Sequence, residues 1–300
     1  MTSGIALQRG CRILAATQPE GWTMFDKISR SWTLVKASAA VLRSDKELLL
    51  FPVISAIATL VATATFLVPV IGLRIFEGGN IGVMGAVVGF LFYLCQYFVI
   101  FFFNTALVGA AMIRLEGGDP TVADGLRIAR SKLGVILGYA AIAATVGLLL
   151  QMISEKSGFI GKMVVGLVGM AWTLASFLVV PILVSRDVGP IDAIKESIAL
   201  LKRTWGENVA GNVGIGLAFG LVLVLVVLAV VALVIGAAAM GGVKLAIVVG
   251  VVGAFAIATV AVVQAALSGI YSAAVYRYAM DGHAPAGFAG PQLQAAFQPK

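Results

Sequence analysis

Charge is what this sequence has least of. Only 12% of its 300 residues are Asp, Glu, Lys or Arg, while 60% are apolar; a soluble domain carries about 25% charged residues. That deficit excludes an ordinary soluble enzyme, a disordered chain and a nucleic-acid-binding protein. Histidine is almost missing as well. The one copy, His283, lies in a Gly/Ala/Pro-rich tail with no Cys, Asp or Glu cluster beside it, so no metal site is expected. Two cysteines, Cys11 and Cys95, cannot build a disulfide framework and read as free thiols. The chain has no HExxH pair, no GxSxG elbow and no GxxxxGK[ST] phosphate loop. An intramembrane protease would need a base at membrane depth, and no histidine or lysine sits there. No catalytic residue and no cofactor is therefore expected, and the chain reads as a non-enzyme.

What is present is apolar length. Mean hydropathy is +1.04, and 35 glycines accompany only 9 prolines. Crossing a bilayer core takes about 20 consecutive apolar residues. Uncharged runs of that length occur at Leu48–Leu73, Ile81–Ile113, Leu133–Ile153, Met163–Val184, Val209–Met240 and Leu245–Tyr276. The expectation is an all-α membrane protein with six transmembrane helices, its last two separated by Gly241-Gly242-Val243-Lys244. Gly85/Gly89, Gly134/Gly138 and Gly216/Gly220 are spaced for close helix approach.

The few charges are placed unevenly. Of 21 Lys and Arg, seven precede the first span, four lie in the second-to-third loop, four in the fourth-to-fifth loop and two in the tail. The other side has Arg74, Lys156, Lys162 and Lys244. Basic residues accumulate on the cytoplasmic face of membrane proteins. Both termini are thus expected in the cytoplasm, and the net charge of +7 reads as attraction to anionic lipid headgroups rather than to nucleic acid. Residues 1–23 lack the apolar core of a signal peptide and read as a poorly ordered extension or a start-site artefact. Residues 24–282 form the membrane domain, and 283–300 are expected to be a disordered cytoplasmic tail.

The cytoplasmic segments carry helical periodicity. Phe25, Ile28, Trp32, Val35, Ala39 and Leu42 recur in steps of three and four, as do Val122, Leu126, Ala129 and Leu133, and Ile191, Ile194, Ile198, Leu201 and Trp205. Such steps place them on one stripe of a helix, with Trp32 and Trp205 suited to headgroup depth. Pro120-Thr121-Val122-Ala123 and Pro190-Ile191-Asp192-Ala193 share a Pro-x-x-Ala start. The chain therefore reads as three parallel repeats, about 24–115, 119–186 and 188–280, each an amphipathic interfacial helix followed by a transmembrane hairpin.

Ser31-Trp32-Thr33-Leu34, followed by Val41-Leu42-Arg43-Ser44-Asp45-Lys46-Glu47-Leu48-Leu49-Leu50-Phe51-Pro52, resembles the opening signature of a family of uncharacterised prokaryotic integral membrane proteins. The resemblance spans roughly Met24 to Gly282, with its specific part at Ser31–Pro52. It implies a multi-pass fold in the prokaryotic cytoplasmic (inner) membrane and transfers no catalytic residue. The helix-plus-hairpin plan is also similar to the membrane domain attached to some glycerophosphodiester phosphodiesterases, although no phosphodiesterase domain is present here.

Buried charge, which marks ion-coupled carriers, is missing from all six runs. The polar groups that remain are amides: Gln96, Asn104, Gln151, Asn212 and Gln264. They serve either as interhelical hydrogen bonds or, for Gln96, Asn104 and Gln264, as the lining of a polar cavity. At the face, Trp32, Asp45, Lys46, Glu47, Lys202, Arg203 and Trp205 are candidate contacts for lipid headgroups or a partner. Two functions follow. One is a non-enzymatic membrane protein that organises lipid or partner proteins, including service as a subunit of a membrane complex or a homo-oligomer. The alternative is a channel or carrier for a neutral or lipidic substrate.

Overall fold

The computed structural model describes residues 36–72, 83–205 and 209–281 together with residue 288. Among them there are helices and no strand. Residues 36–44 form α1, and a 3-10 turn at Lys46–Leu49 leads into α2 (Leu50–Gly72). There follow α3 (Val83–Leu115), α4 (Val122–Ser131), α5 (Leu133–Lys156), α6 (Phe159–Ser176), α7 (Val179–Ser185), α8 (Pro190–Trp205) and α9 (Val209–Asp281). Five stretches are long and apolar enough to cross a bilayer: Lys46–Val68, Val87–Leu115, Leu133–Lys156, Phe159–Ser185 and Val222–Asp281. The chain is a multi-pass membrane protein.

Five such helices, where the sequence reading expects six, follows from the last of them. α9 spans 73 residues, but it is two helices joined at a kink, where Gly242 has φ 69° and ψ −171°. A straight helix of that length would extend about 110 Å at 1.5 Å per residue, several times a bilayer core. Instead its two halves fold back on each other. A Cβ on Gly253 would lie 2.3 Å from Val230 Cγ1, and Gly250 faces Val234. Glycine at 242 is needed because a side chain rarely adopts that positive φ.

The core gathers at one end of the bundle. Leu48, Phe51, Ala106–Leu115, Leu178–Leu183 and Ala266–Tyr276 contribute to one buried cluster, joined by Val41 and Leu42 of α1, Ala129 of α4, and Ala193, Leu200 and Leu201 of α8. α3 is the central element and packs on α2, α4, α5, α7 and α9. The far halves of the long helices are exposed, as Phe159, Leu60 and Met240 illustrate, and that apolar surface suits lipid. Of the glycine pairs, Gly89, Gly134 and Gly220 face open space, and Gly138 meets Pro190. Close approach also occurs at Gly109, Gly125, Gly253 and Gly269.

The short helices have clear local causes. Thr121 caps α4: its side chain accepts from Asp124 N while the Asp124 carboxylate accepts from Thr121 N, which satisfies two orphan donors at once. Pro190 opens α8, where its missing N–H costs nothing. α4 and α8 turn their small residues, Gly125, Ala129, Ala193 and Ser197, into the core. The chain breaks helix at Phe177–Leu178, between α6 and α7, and the freed Leu178 N–H donates to Ser197 Oγ at 3.2 Å. Ser197 is fully buried. Ser197→Ala should therefore strand a buried donor and cost about 1–3 kcal/mol, read as a lower Tm in detergent. An unchanged Tm would show that the break is satisfied some other way.

Candidate functional site

A cavity of about 470 Å³ lies in the core half of the bundle, among α2, α3, α5, the α6–α7 break and α9. Each wall has a local reason. Pro52 stands in the first turn of α2, where a proline is tolerated, and Ser55 follows it into the cavity. α3 presents Tyr97, Phe101 and Asn104 at steps of four and three, on one helical face. Tyr97 stacks on Phe101 with centroids 5.7 Å apart, and Phe101 meets Tyr139 of α5 at 4.4 Å. The break after Ser176 brings in Trp172, Thr173 and Phe177. From α9 come Ser268, Gly269 and Ser272. Gly269 permits that approach, since a Cβ there would lie 2.5 Å from Leu107 Cδ2 and 3.4 Å from Asn104 Oδ1.

The lining is largely apolar and aromatic, with a few uncharged polar groups set into it. Among the described residues that form it there is no Asp, Glu, Lys, Arg or His. Some hydroxyls are already spent on their own helix: Ser176 Oγ donates to Trp172 O at 2.6 Å, Thr173 Oγ1 to Gly169 O at 2.9 Å and Ser272 Oγ to Gly269 O at 2.9 Å. Asn104, Ser55, Ser268 and the Tyr97 hydroxyl make no hydrogen bond to any described residue.

Of the three amides expected to line a cavity, the structure places Asn104 there. Gln96 points elsewhere: its Nε2 donates to Thr63 Oγ1 at 2.6 Å and reaches Thr59 O at 3.4 Å, which ties α3 to α2. Gln264 is half-buried on α9, one residue before the lining residue Ala265, and is outside the wall. Gln151 accepts from the Tyr93 hydroxyl and so joins α3 to α5. The side chain of Asn212 lies outside the described residues. The rest of the polar wall is made of hydroxyls, among them Ser55, Tyr97 and Ser268. The signal for them was available in Tyr97 and Asn104 seven apart, and in Ser268 and Ser272 four apart, spacings that stack side chains on one face.

The candidate face residues have structural tasks at the same end. Asp45 caps the 3-10 turn, accepting from Glu47 N at 3.1 Å, while its Oδ2 is buried without a partner. Burial pushes the Asp45 carboxyl above its usual value despite the Glu47 amide. Glu47 accepts from Val122 N at 3.1 Å and thereby joins the start of α2 to the start of α4. Lys46 and Lys202 are exposed. Trp32 and the side chains of Arg203 and Trp205 lie outside the described residues. Further polar links hold this end: Arg277 with Glu116, Arg186 with Glu196 at 2.7 Å, and Lys132 with Asp187. Lys132 holds the Asp187 carboxyl below its usual range, so that link contributes above the ordinary carboxylate pKa and is lost as pH falls through the lowered one. Phe288, within the tail expected to be disordered, is 1% exposed and packs in the core cluster.

The Asp45 shift has the opposite sign. With its pKa raised in the folded state, protonation favours folding, so its stability contribution is present at low pH and is lost as pH rises through the raised value. Asp45→Asn keeps an acceptor for Glu47 N and should flatten that pH dependence. Asp45→Ala removes the cap and should cost about 0.5–2 kcal/mol. Unfolding curves between pH 4 and 8 check both, and identical pH profiles for wild type and Asp45→Asn would refute the assignment.

Among the described residues, no group of His, Cys, Asp and Glu could hold a metal ion. No curated protein matches the chain. A family model does, over residues 83–288, from the start of α3 to the buried Phe288 and beyond the Ser31–Pro52 stretch. That match covers most of the sequence, and the chain belongs to the family of unknown function DUF6159.

Proposed function

We propose that this protein crosses a prokaryotic inner membrane six times and organises lipid at its cytoplasmic face without catalysing a reaction. The crossings form three parallel units, about 24–115, 119–186 and 188–280, each an interfacial helix followed by a hairpin, with both termini cytoplasmic. The fold-back at Gly242 supports a sixth crossing, and the skew of basic residues to one side supports the orientation. The observation that carries the functional reading is the outer surface of the short helices. α4 and α8 bury small residues and leave Arg127, Arg130, Lys195 and Lys202 exposed, and Lys36 and Arg43 of α1 are exposed as well. Basic groups near an anionic leaflet contribute about 1 kcal/mol each. Anionic headgroups are thus the first partner, and the exposed apolar halves of the long helices suit a second copy or another membrane protein.

The full-length protein in nanodiscs of mixed anionic and zwitterionic lipid provides the test. Native mass spectrometry should find anionic lipid enriched on the protein. The enrichment should fall when Arg127, Arg130, Lys195 and Lys202 are all replaced by Gln. Equal retention by the two proteins would contradict the reading. A second function, as a carrier for a neutral or lipidic substrate, draws its support from the cavity at Asn104.

A further inference from the structure

We infer that the cavity beside Asn104 is a binding site for the head of an uncharged glycerolipid of the diacylglycerol class, entered sideways from the bilayer. The inference stands apart from the anionic-face reading and requires only that α2, α3 and α9 lie in lipid. Four groups in the wall have hydrogen-bonding capacity that no described residue uses: the Asn104 amide, the Tyr97 hydroxyl, and the Ser55 and Ser268 hydroxyls. In hydrocarbon such groups are costly unless something satisfies them. The amide and hydroxyls both donate and accept, which matches a head bearing a free hydroxyl and ester carbonyls. A phosphate or ammonium head is disfavoured, because no described residue of the lining is charged and a charge taken out of water needs a partner.

The route is lateral. Ile100 is 43% exposed, and Ala265, Ser268 and Thr173 are exposed although they line the cavity. These residues face outward where α3, α6 and α9 border lipid, so acyl chains can remain in the bilayer while the head enters. The volume of about 470 Å³ is within the range of small-ligand sites, roughly 300–1,000 Å³. The aromatic wall of Phe101, Tyr139, Trp172 and Phe177 suits the glycerol carbons and the first methylenes.

The test uses full-length protein in vesicles of zwitterionic lipid doped with a photoactivatable diacylglycerol, and in parallel with a photoactivatable phosphatidylglycerol. The expected result is diacylglycerol crosslinks on residues 97–107 and 265–272, reduced about tenfold, the effect of a 1.4 kcal/mol loss, by Asn104→Leu. Ser268→Trp closes the mouth from an exposed position and should act alike even if Asn104→Leu fails to fold. Both variants should keep the anionic-lipid enrichment measured in nanodiscs, which separates this site from the basic face. Labelling unchanged by Ser268→Trp, or equal labelling by the phosphatidylglycerol probe at the same residues, would overturn the inference.

Discussion

Gly125→Val is expected to detach α4 from the bundle and to lower stability by about 3 kcal/mol, the upper part of the usual range for overpacking. The reason is the closeness of two different neighbours. A Cβ at Gly125 would lie 2.5 Å from Phe51 Cζ of α2 and 2.6 Å from the Ala106 carbonyl oxygen of α3. The ring can tilt, but the carbonyl belongs to a helix hydrogen-bond ladder and cannot. α4 must therefore move away, and with it the Glu47–Val122 link is lost. Thermal unfolding in detergent measures the effect, and Gly125→Ala should fall between wild type and Gly125→Val. A wild-type Tm for Gly125→Val would mean that α4 does not lie on α2 and α3 as described.

Phe51→Ala should be at least as damaging. Phe51 is 1% exposed and sits in the shared core at the start of α2, and deleting a buried phenyl ring costs about 3–5 kcal/mol. The two sites touch, so their effects should not add. With the ring gone, one of the two obstacles at Gly125 disappears, and Gly125→Ala should cost less in the Phe51→Ala background. A coupling of about 0.5–3 kcal/mol is expected for residues in contact. Strict additivity would contradict the packing.

Much of this architecture is written in the apolar runs and in where the charges interrupt them. Arg114, Lys156 and Arg186 stand within a residue or so of helix ends, because an ionised group in hydrocarbon is costly. Pro190 and the Thr121 region mark helix starts correctly, although Pro120 precedes the cap rather than beginning the helix. Other features depend on distant partners and leave no periodic trace. The amphipathic spacing of α4 and α8 is legible, whereas their burial of Gly125, Ala129, Ala193 and Ser197 against the protein depends on which helices lie opposite. A stripe that faces lipid and one that faces a neighbouring helix have the same spacing. Glycine spacing by itself does not say which glycine meets a neighbour: Gly138 meets Pro190 and Gly269 meets Leu107, while Gly89, Gly134 and Gly220 meet none. Asn104 was visible as a lone amide in an apolar run. Gln96 looked equivalent to it and differs only because Thr59 and Thr63 are across the interface.

The central claim is that the chain crosses the membrane as three parallel hairpins, with the short helices together at one face. Side-specific cysteine labelling tests it most directly. In a parent carrying Cys11→Ser and Cys95→Ser, single cysteines would be placed by Asp119→Cys, Asp187→Cys, Ser157→Cys and Lys244→Cys. A membrane-impermeant maleimide should label positions 119 and 187 only in inside-out vesicles, and positions 157 and 244 only in intact cells. Labelling of Lys244→Cys from the same side as Asp187→Cys, or its protection from both sides, would contradict the hairpin at Gly242 and the six crossings built on it.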